Sequence, residues 1–153
     1  MTTIANFTED YVSFEVAKLL KENGFDSDEV GCLCGFYSER CYESGYGIKT
    51  QSGQEVGIVY DDLTNSDLEH DEYLRPTLQM ACKWLRVTHN IYIEVEPHTF
   101  DGDLASSYEC NYWFNGKFYI PYATRGHPLE NKKYRTYEEA LNSAIEYCLT
   151  NLI

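Results

Sequence analysis

The stretch GCLCGFYSERC places three cysteines, Cys32, Cys34 and Cys41, within ten residues. Thiolates this close could ligate a metal, form a redox pair, or pack in an apolar strand. Structural zinc takes four tetrahedral N/S ligands, commonly with a C-x2–4-C pair on a knuckle turn. Here the pair is C-x-C, whose side chains point to the same side of a strand. A fourth ligand would have to come from His70, Cys82, His89 or His98, far along the chain. Buried free cysteine is therefore the expectation, since a free thiol behaves as a small hydrophobe. Zinc on Cys32, Cys34 and Cys41 stands as the alternative, and no other cofactor is expected.

Two further groups carry charge. Asp61, Asp62, Asp67, Glu69, His70, Asp71 and Glu72 crowd the stretch DDLTNSDLEHDEY. Their oxygens suit Mg²⁺ or Ca²⁺, but the spacing is not that of an EF-hand loop. The acids Asp61, Asp62, Asp67, Glu69, Asp71 and Glu72 read instead as a candidate partner-binding surface, or as a solvated connector favouring the next helix N-terminus. The stretch YATRGHPLENKKYRTYEE is basic and ends at a helix start. Its Tyr122, Arg125, His127, Lys132, Lys133, Arg135 and Thr136, with Arg75 and Arg86 projecting from the second helix, form a candidate phosphate or nucleotide site. Helix N-terminal N–H groups attract anions, and Tyr122 or Tyr134 could stack on a base. The alternative is a basic loop balancing the acidic half. There is no G-x-S-x-G elbow, no P-loop and no local Cys/His signature, so no residue is assigned a catalytic role.

Charge is unevenly spread over the 153 residues, whose net is −13. Residues 1–73 hold 16 acids against 4 bases, a net −12, and residues 74–153 hold 9 against 8, a net −1. Such a chain repels nucleic acid, while the basic stretch could hold a small anion. The apolar runs are too short to span a membrane. Residues 1–15 lack a charged n-region followed by an apolar h-region, so a cytoplasmic location with reduced thiols is expected.

The expected architecture is α+β, a mainly antiparallel sheet with about three helices on one face, in a single domain over 1–153. Residues 1–60 read as a helix, Thr8–Asn23, followed by short strands at VGCLCGFY, YGIKT and QEVGIVY. Gly24 should end the helix in a Schellman turn that folds Phe25 onto Leu20. Residues 61–73 form the acidic connector. Residues 74–153 read as helix, strand, hairpin and helix. The second helix spans Arg75–His89 with Pro76 in its first turn, an inner stripe of Leu78, Ala81, Cys82 and Leu85, Trp84 beside it, and a stop at Asn90. IYIEVE then alternates, with Ile91, Ile93 and Val95 inward and Tyr92, Glu94 and Glu96 outward. Residues 97–107 read as a loop. Asn115-Gly116 signals a type I′ turn that pairs Phe114 with Lys117, Trp113 with Phe118 and Asn111 with Ile120. Trp113, Phe118 and Ile120 are taken as its core face, with Tyr112, Tyr119 and Phe114 on the other. The last helix starts at Thr136, with Glu139 closing a capping box, and buries Ala140, Leu141, Ala144, Ile145, Cys148, Leu149 and Leu152.

Pro76, Thr77, Trp84, Leu85, Arg86, Asn90, Ile91, Tyr137, Glu138, Glu139 and Ala140 carry a resemblance. In the blocks SFEVAKLLKENGF, YLRPTLQMACKWLRVTHNIYIEV and TYEEALNSAIEYCLTNLI the chain resembles a family of small uncharacterised proteins of Bacteroides-type gut bacteria and their phages and prophages. The resemblance implies a shared fold and no activity. It also implies a class of role: a small protein in the host cytoplasm that binds a host protein or complex, or blunts a defence system. Fourteen tyrosines and a hairpin aromatic on both faces add an expectation of self-association, because Tyr is favoured at interfaces.

Overall fold

The computed structural model describes residues 10–27, 35–39, 48–49, 55–56, 64–98 and 107–153. Cys32, Cys34, Cys41, Asp61 and Asp62 lie outside the described residues. The fold is α+β, with three helices and two antiparallel sheets among the described residues. Helix α1 is Phe14–Glu22, α2 is Leu78–His89 and α3 is Tyr137–Asn151. The strands are β1 (Gly35–Ser38), β2 (Ile48–Lys49), β3 (Glu55–Val56), β4 (Glu72–Arg75), β5 (Tyr92–His98), β6 (Ser107–Phe114) and β7 (Lys117–Tyr119). They divide into a β2-β3-β1-β4 sheet and a β5-β6-β7 sheet, where the sequence suggested one. The division falls where α2 separates β4 from β5.

Helix α1 begins six residues later than its periodicity suggested. Ser13 is the N-cap, its hydroxyl accepting the Val16 N–H at 3.3 Å, as short polar side chains do at helix starts. Residues 10–12 are extended because their backbone is used elsewhere. Val12 N–H donates to Pro76 O at 3.1 Å, and Leu78 N–H donates to Asp10 O at 2.9 Å. The C-terminus ends as expected: Gly24 has φ +88°, and Phe25 N–H reaches Leu20 O at 2.9 Å. Both side chains are in the core.

Helix α2 is also shorter than expected. Thr77 is its N-cap and accepts the Met80 N–H, so Pro76 precedes the cap rather than occupying the first turn. Arg75 belongs to β4, paired with Gly35, and not to the helix. Asn90 closes α2 in the left-handed conformation, φ +54°, and delivers buried Ile91 to the start of β5. Thr136 caps α3 through the Glu139 N–H at 3.1 Å. The Glu139 carboxylate reaches back to the Arg135 N–H at 3.2 Å, one residue before the position a capping box uses.

One core unites these elements. Trp84, 1% exposed, packs edge-on against Phe25 at 5.6 Å and His89 at 4.8 Å. Phe14 sits edge-on to Tyr37 and Tyr73, which joins α1 to the first sheet. Tyr37 donates to Val12 O at 2.6 Å, and burial pushes its hydroxyl up to about 12. The inner stripe of α3 is buried through Leu149, with Leu152 at its edge.

The hairpin has the expected turn, with Asn115 at φ +52° and Gly116 at φ +73°. It also has the expected Trp113–Phe118 and Phe114–Lys117 pairs. The ladder stops at Tyr112–Tyr119, so Asn111 and Ile120 do not pair within it. The core face is the reverse of the expected one. Tyr112 is 3% exposed and Phe114 packs on the core, whereas Trp113 is 41% and Ile120 42% exposed. The reason is register: β5 pairs Ile93 with Tyr112 and Tyr92 with Trp113, so the inward Ile93 carries Tyr112 inward.

This assignment makes the two tryptophans unequal. Trp84→Ala should lose roughly 3–5 kcal/mol of stability in urea unfolding, as emptying a packed aromatic site does. Trp113→Ala should lose about 1 kcal/mol or less, as at other exposed positions. Comparable losses at the two positions would contradict the assignment of faces.

Candidate functional site

Alternation along β5 sends Tyr92, Glu94 and Glu96 to the outer face of the second sheet, and all three are exposed. Across the ladder, Tyr92 faces Trp113, Glu94 faces Asn111, Glu96 faces Glu109 and His98 faces Ser107. Trp113 in turn lies 4.8 Å from Phe118 on β7. One end of the face is therefore aromatic and the other acidic. A groove of about 300 Å³ opens at the aromatic end, lined by Asn90, Tyr92, Glu94, Trp113 and Gly116. Asn111 is 2% exposed, and its Oδ1 has no hydrogen-bond partner among the described residues. Glu96 and Glu109 stand directly opposite as like charges, an unfavourable cross-strand pair. His98 Nδ1 relieves this in part, 3.0 Å from Glu109 Oε2.

The acidic connector is tied into the structure in part, while Asp67 and Glu69 are exposed. Asp67 Oδ2 accepts the Thr64 N–H at 2.9 Å, and Glu72 Oε1 accepts the Glu69 N–H at 2.9 Å. Lys21 Nζ donates to the carbonyls of Glu69 and Glu72 at 3.1 and 2.8 Å. Asp71 is 8% exposed, and Glu72 lies in β4. Among the described residues, no three His, Cys, Asp or Glu side chains converge as metal ligands.

The basic group is scattered. Arg75 is buried, with its guanidinium 3.7 Å from the centroid of the Tyr11 ring, and does not join Arg86 on a helix face. Arg86 is exposed on α2, and Arg125, Lys132 and Arg135 are exposed along the 121–135 segment. Lys133 Nζ lies 5.6 Å over Tyr122, and Tyr122 packs 5.2 Å from His98, so these two meet the end of β5. Two backbone donors of this segment already have carboxylates: Glu130 takes the Gly126 N–H at 2.9 Å, and Glu139 takes that of Arg135. The Tyr134 and Ser143 hydroxyls share a hydrogen bond of 2.6 Å.

His127 is inward-facing. Its Nδ1 accepts the Leu129 N–H at 3.0 Å, so the neutral ring carries its proton on Nε2, 3.1 Å from Tyr112 Oη. The ring packs 4.8 Å from Tyr147, while Tyr112 stacks on Tyr119 at 4.9 Å. Burial lowers the His127 pKa and raises that of Tyr112. Burial likewise pushes the thiols up, Cys82 and Cys148 to about 12 and Cys110 to about 11, so these three are packing groups and not nucleophiles at neutral pH.

Reading the sequence alone did not single out Tyr92, Glu94 and Trp113 as a site. The signal was present in the alternation of IYIEVE, which places Trp113 outward once the two strands are paired. No protein-family model, curated protein or solved structure matches the chain. Among the described residues, no helix is long and apolar enough to cross a membrane.

The His127 geometry gives a signed pH dependence. A histidine whose folded pKa is lowered binds less proton than the unfolded chain does below its ordinary value of about 6.5. Its contribution is thus intact above that value and is lost as pH falls towards the lowered one. His127→Asn offers an amide oxygen to the Leu129 N–H and does not titrate. Urea unfolding from pH 8 down to pH 5 should show a shallower acid limb for His127→Asn than for the native protein.

Proposed function

We propose that the protein is a non-enzymatic binding protein whose partner is a basic host protein or complex, which it occupies as an inhibitor would. The observation that carries this reading is the outer face of the β5-β6-β7 sheet. There, exposed Tyr92, Trp113 and Ile120 adjoin Glu94 and Glu96 on a chain of net charge −13. Exposed aromatic groups beside charge of one sign are the composition of an interface that steers a partner electrostatically and then excludes water. The resemblance to phage and prophage proteins of gut bacteria supports a role of this class, including the blunting of a host defence. The acidic surface in this reading lies on β5 rather than on residues 61–73. The anion-sequestering reading has less support, because Glu130 and Glu139 take the Gly126 and Arg135 N–H groups in cis.

The reading is tested by fluorescence anisotropy with basic, neutral and acidic peptides of equal length. Glu94→Lys with Glu96→Lys should weaken the basic peptide about tenfold or more, and added salt should weaken binding to the native protein. The control Glu22→Lys with Glu146→Lys makes the same charge change at exposed helix positions. It should stay within about threefold of the native protein, as expected of charges outside an interface. Equal losses in the two variants would show only general charge attraction and would defeat the assignment of this face.

A further inference from the structure

The groove at the aromatic end of the outer face has a narrower chemistry than its surroundings. Two of its linings are aromatic rings, Tyr92 and Trp113, directly opposed across the β5–β6 ladder. A third, Glu94, stands one pleat further along β5 on the same face. No lining residue is basic, and Glu94 makes no ion pair among the described residues. Lys117, at the start of β7, is turned to the opposite face, its Nζ 5.2 Å over the Tyr119 ring.

We propose that this groove is an arginine pocket, in which Tyr92 and Trp113 flank the guanidinium of a partner polypeptide and Glu94 is its counter-ion. The proposal rests on the binding-protein reading above and names the side chain the partner presents. Each alternative occupant leaves something unsatisfied. An anion would meet Glu94. An aliphatic side chain would cover the rings but leave the carboxylate unpaired. An ammonium group would suit the rings and Glu94, but it is strongly hydrated and compact. A guanidinium is planar and weakly hydrated. It stacks on an indole and carries five donors in a fixed fork that matches a carboxylate. The same chain already uses this pairing internally, where the Arg75 guanidinium lies 3.7 Å from the Tyr11 ring centroid. Gly116 contributes by lacking a side chain: at φ +73° in the turn it leaves the mouth of the groove open.

The test exploits the two tryptophans. Each indole N–H gives its own nuclear magnetic resonance signal, Trp84 from the core and Trp113 from the groove. A capped glycine peptide with one central arginine, titrated into the native protein, should shift the Trp113 signal and leave that of Trp84. The citrulline peptide, neutral and nearly isosteric, should not shift it, and the lysine peptide should bind more weakly. Glu94→Gln should weaken the arginine peptide about fivefold or more, while Trp113→Phe, which keeps an aromatic wall, should retain most of the binding. Citrulline binding as tightly as arginine, or arginine shifting signals only away from Trp113, overturns the pocket. An arginine-rich peptide that still binds Trp113→Ala combined with Glu94→Gln overturns the pocket but leaves the broader acidic-surface reading standing. No binding of that peptide to the native protein overturns both.

Discussion

Four residues with extended backbone, 10 to 13, hold the structure's parts in register. Their polar groups are satisfied by residues scattered along the whole chain. Asp10 O takes the Leu78 N–H, Val12 N–H goes to Pro76 O, and Tyr11 bridges Thr77. Val12 O accepts the Tyr37 hydroxyl. Ser13 exchanges two bonds with Asn142, taking its amide hydrogen at 3.1 Å and giving a backbone hydrogen to its Oδ1 at 2.9 Å. Val12 is fully buried, so its N–H or carbonyl left unpaired would be a buried polar atom, which destabilises by about 1–3 kcal/mol. Through this node α1, the first sheet, the start of α2 and the first half of α3 are fixed to one another. Arg75 closes it from above, stacked on Tyr11.

The second sheet follows from where that node leaves α2. With Thr77 capping one end and Asn90 turning the other, Ile91 has one place to go, into the core beside Leu85. Strand β5 then inherits its facing from Ile91, and β6 inherits its own from β5. Tyr112 turns inward to the His127–Tyr147 cluster, and Trp113 turns to the outside. A one-residue slip would exchange these faces, placing Tyr92 and the glutamates inside. The aromatic and acidic outer face is thus a consequence of packing on the inner one.

The same packing decides which charges face outward to a partner. Asp67 and Glu72 accept backbone hydrogens in turns, and the carbonyls of Glu69 and Glu72 bind Lys21, which ties β4 to α1. The segment before α3 carries Arg125, Lys132, Lys133 and Arg135 against Glu130 alone. Glu94 and Glu96 differ, because they stand on a regular strand whose backbone needs nothing from them. They are also exposed next to aromatic rings rather than among counter-charges.

The sequence by itself determined the helices, their polar caps at Thr136 and Asn90, the Schellman turn at Gly24, the type I′ turn at Asn115-Gly116 and the inward stripe of β5. These depend on neighbours within a few residues, and local chemistry reports them. It also determined that Cys82 and Cys148 are core residues, because helical spacing places them on buried stripes. Tertiary structure alone decided the late start of α1, the move of Arg75 from helix to strand, the burial of Asp71, the division into two sheets and the inversion of the hairpin faces. Each of these turns on a partner far along the chain: Pro76 for Val12, Asn142 for Ser13, Tyr11 for Arg75, Ile93 for Tyr112. An aromatic hairpin with both faces apolar carries no local instruction about which face is inner. The choice belongs to the strand it pairs with, and with it the identity of the site.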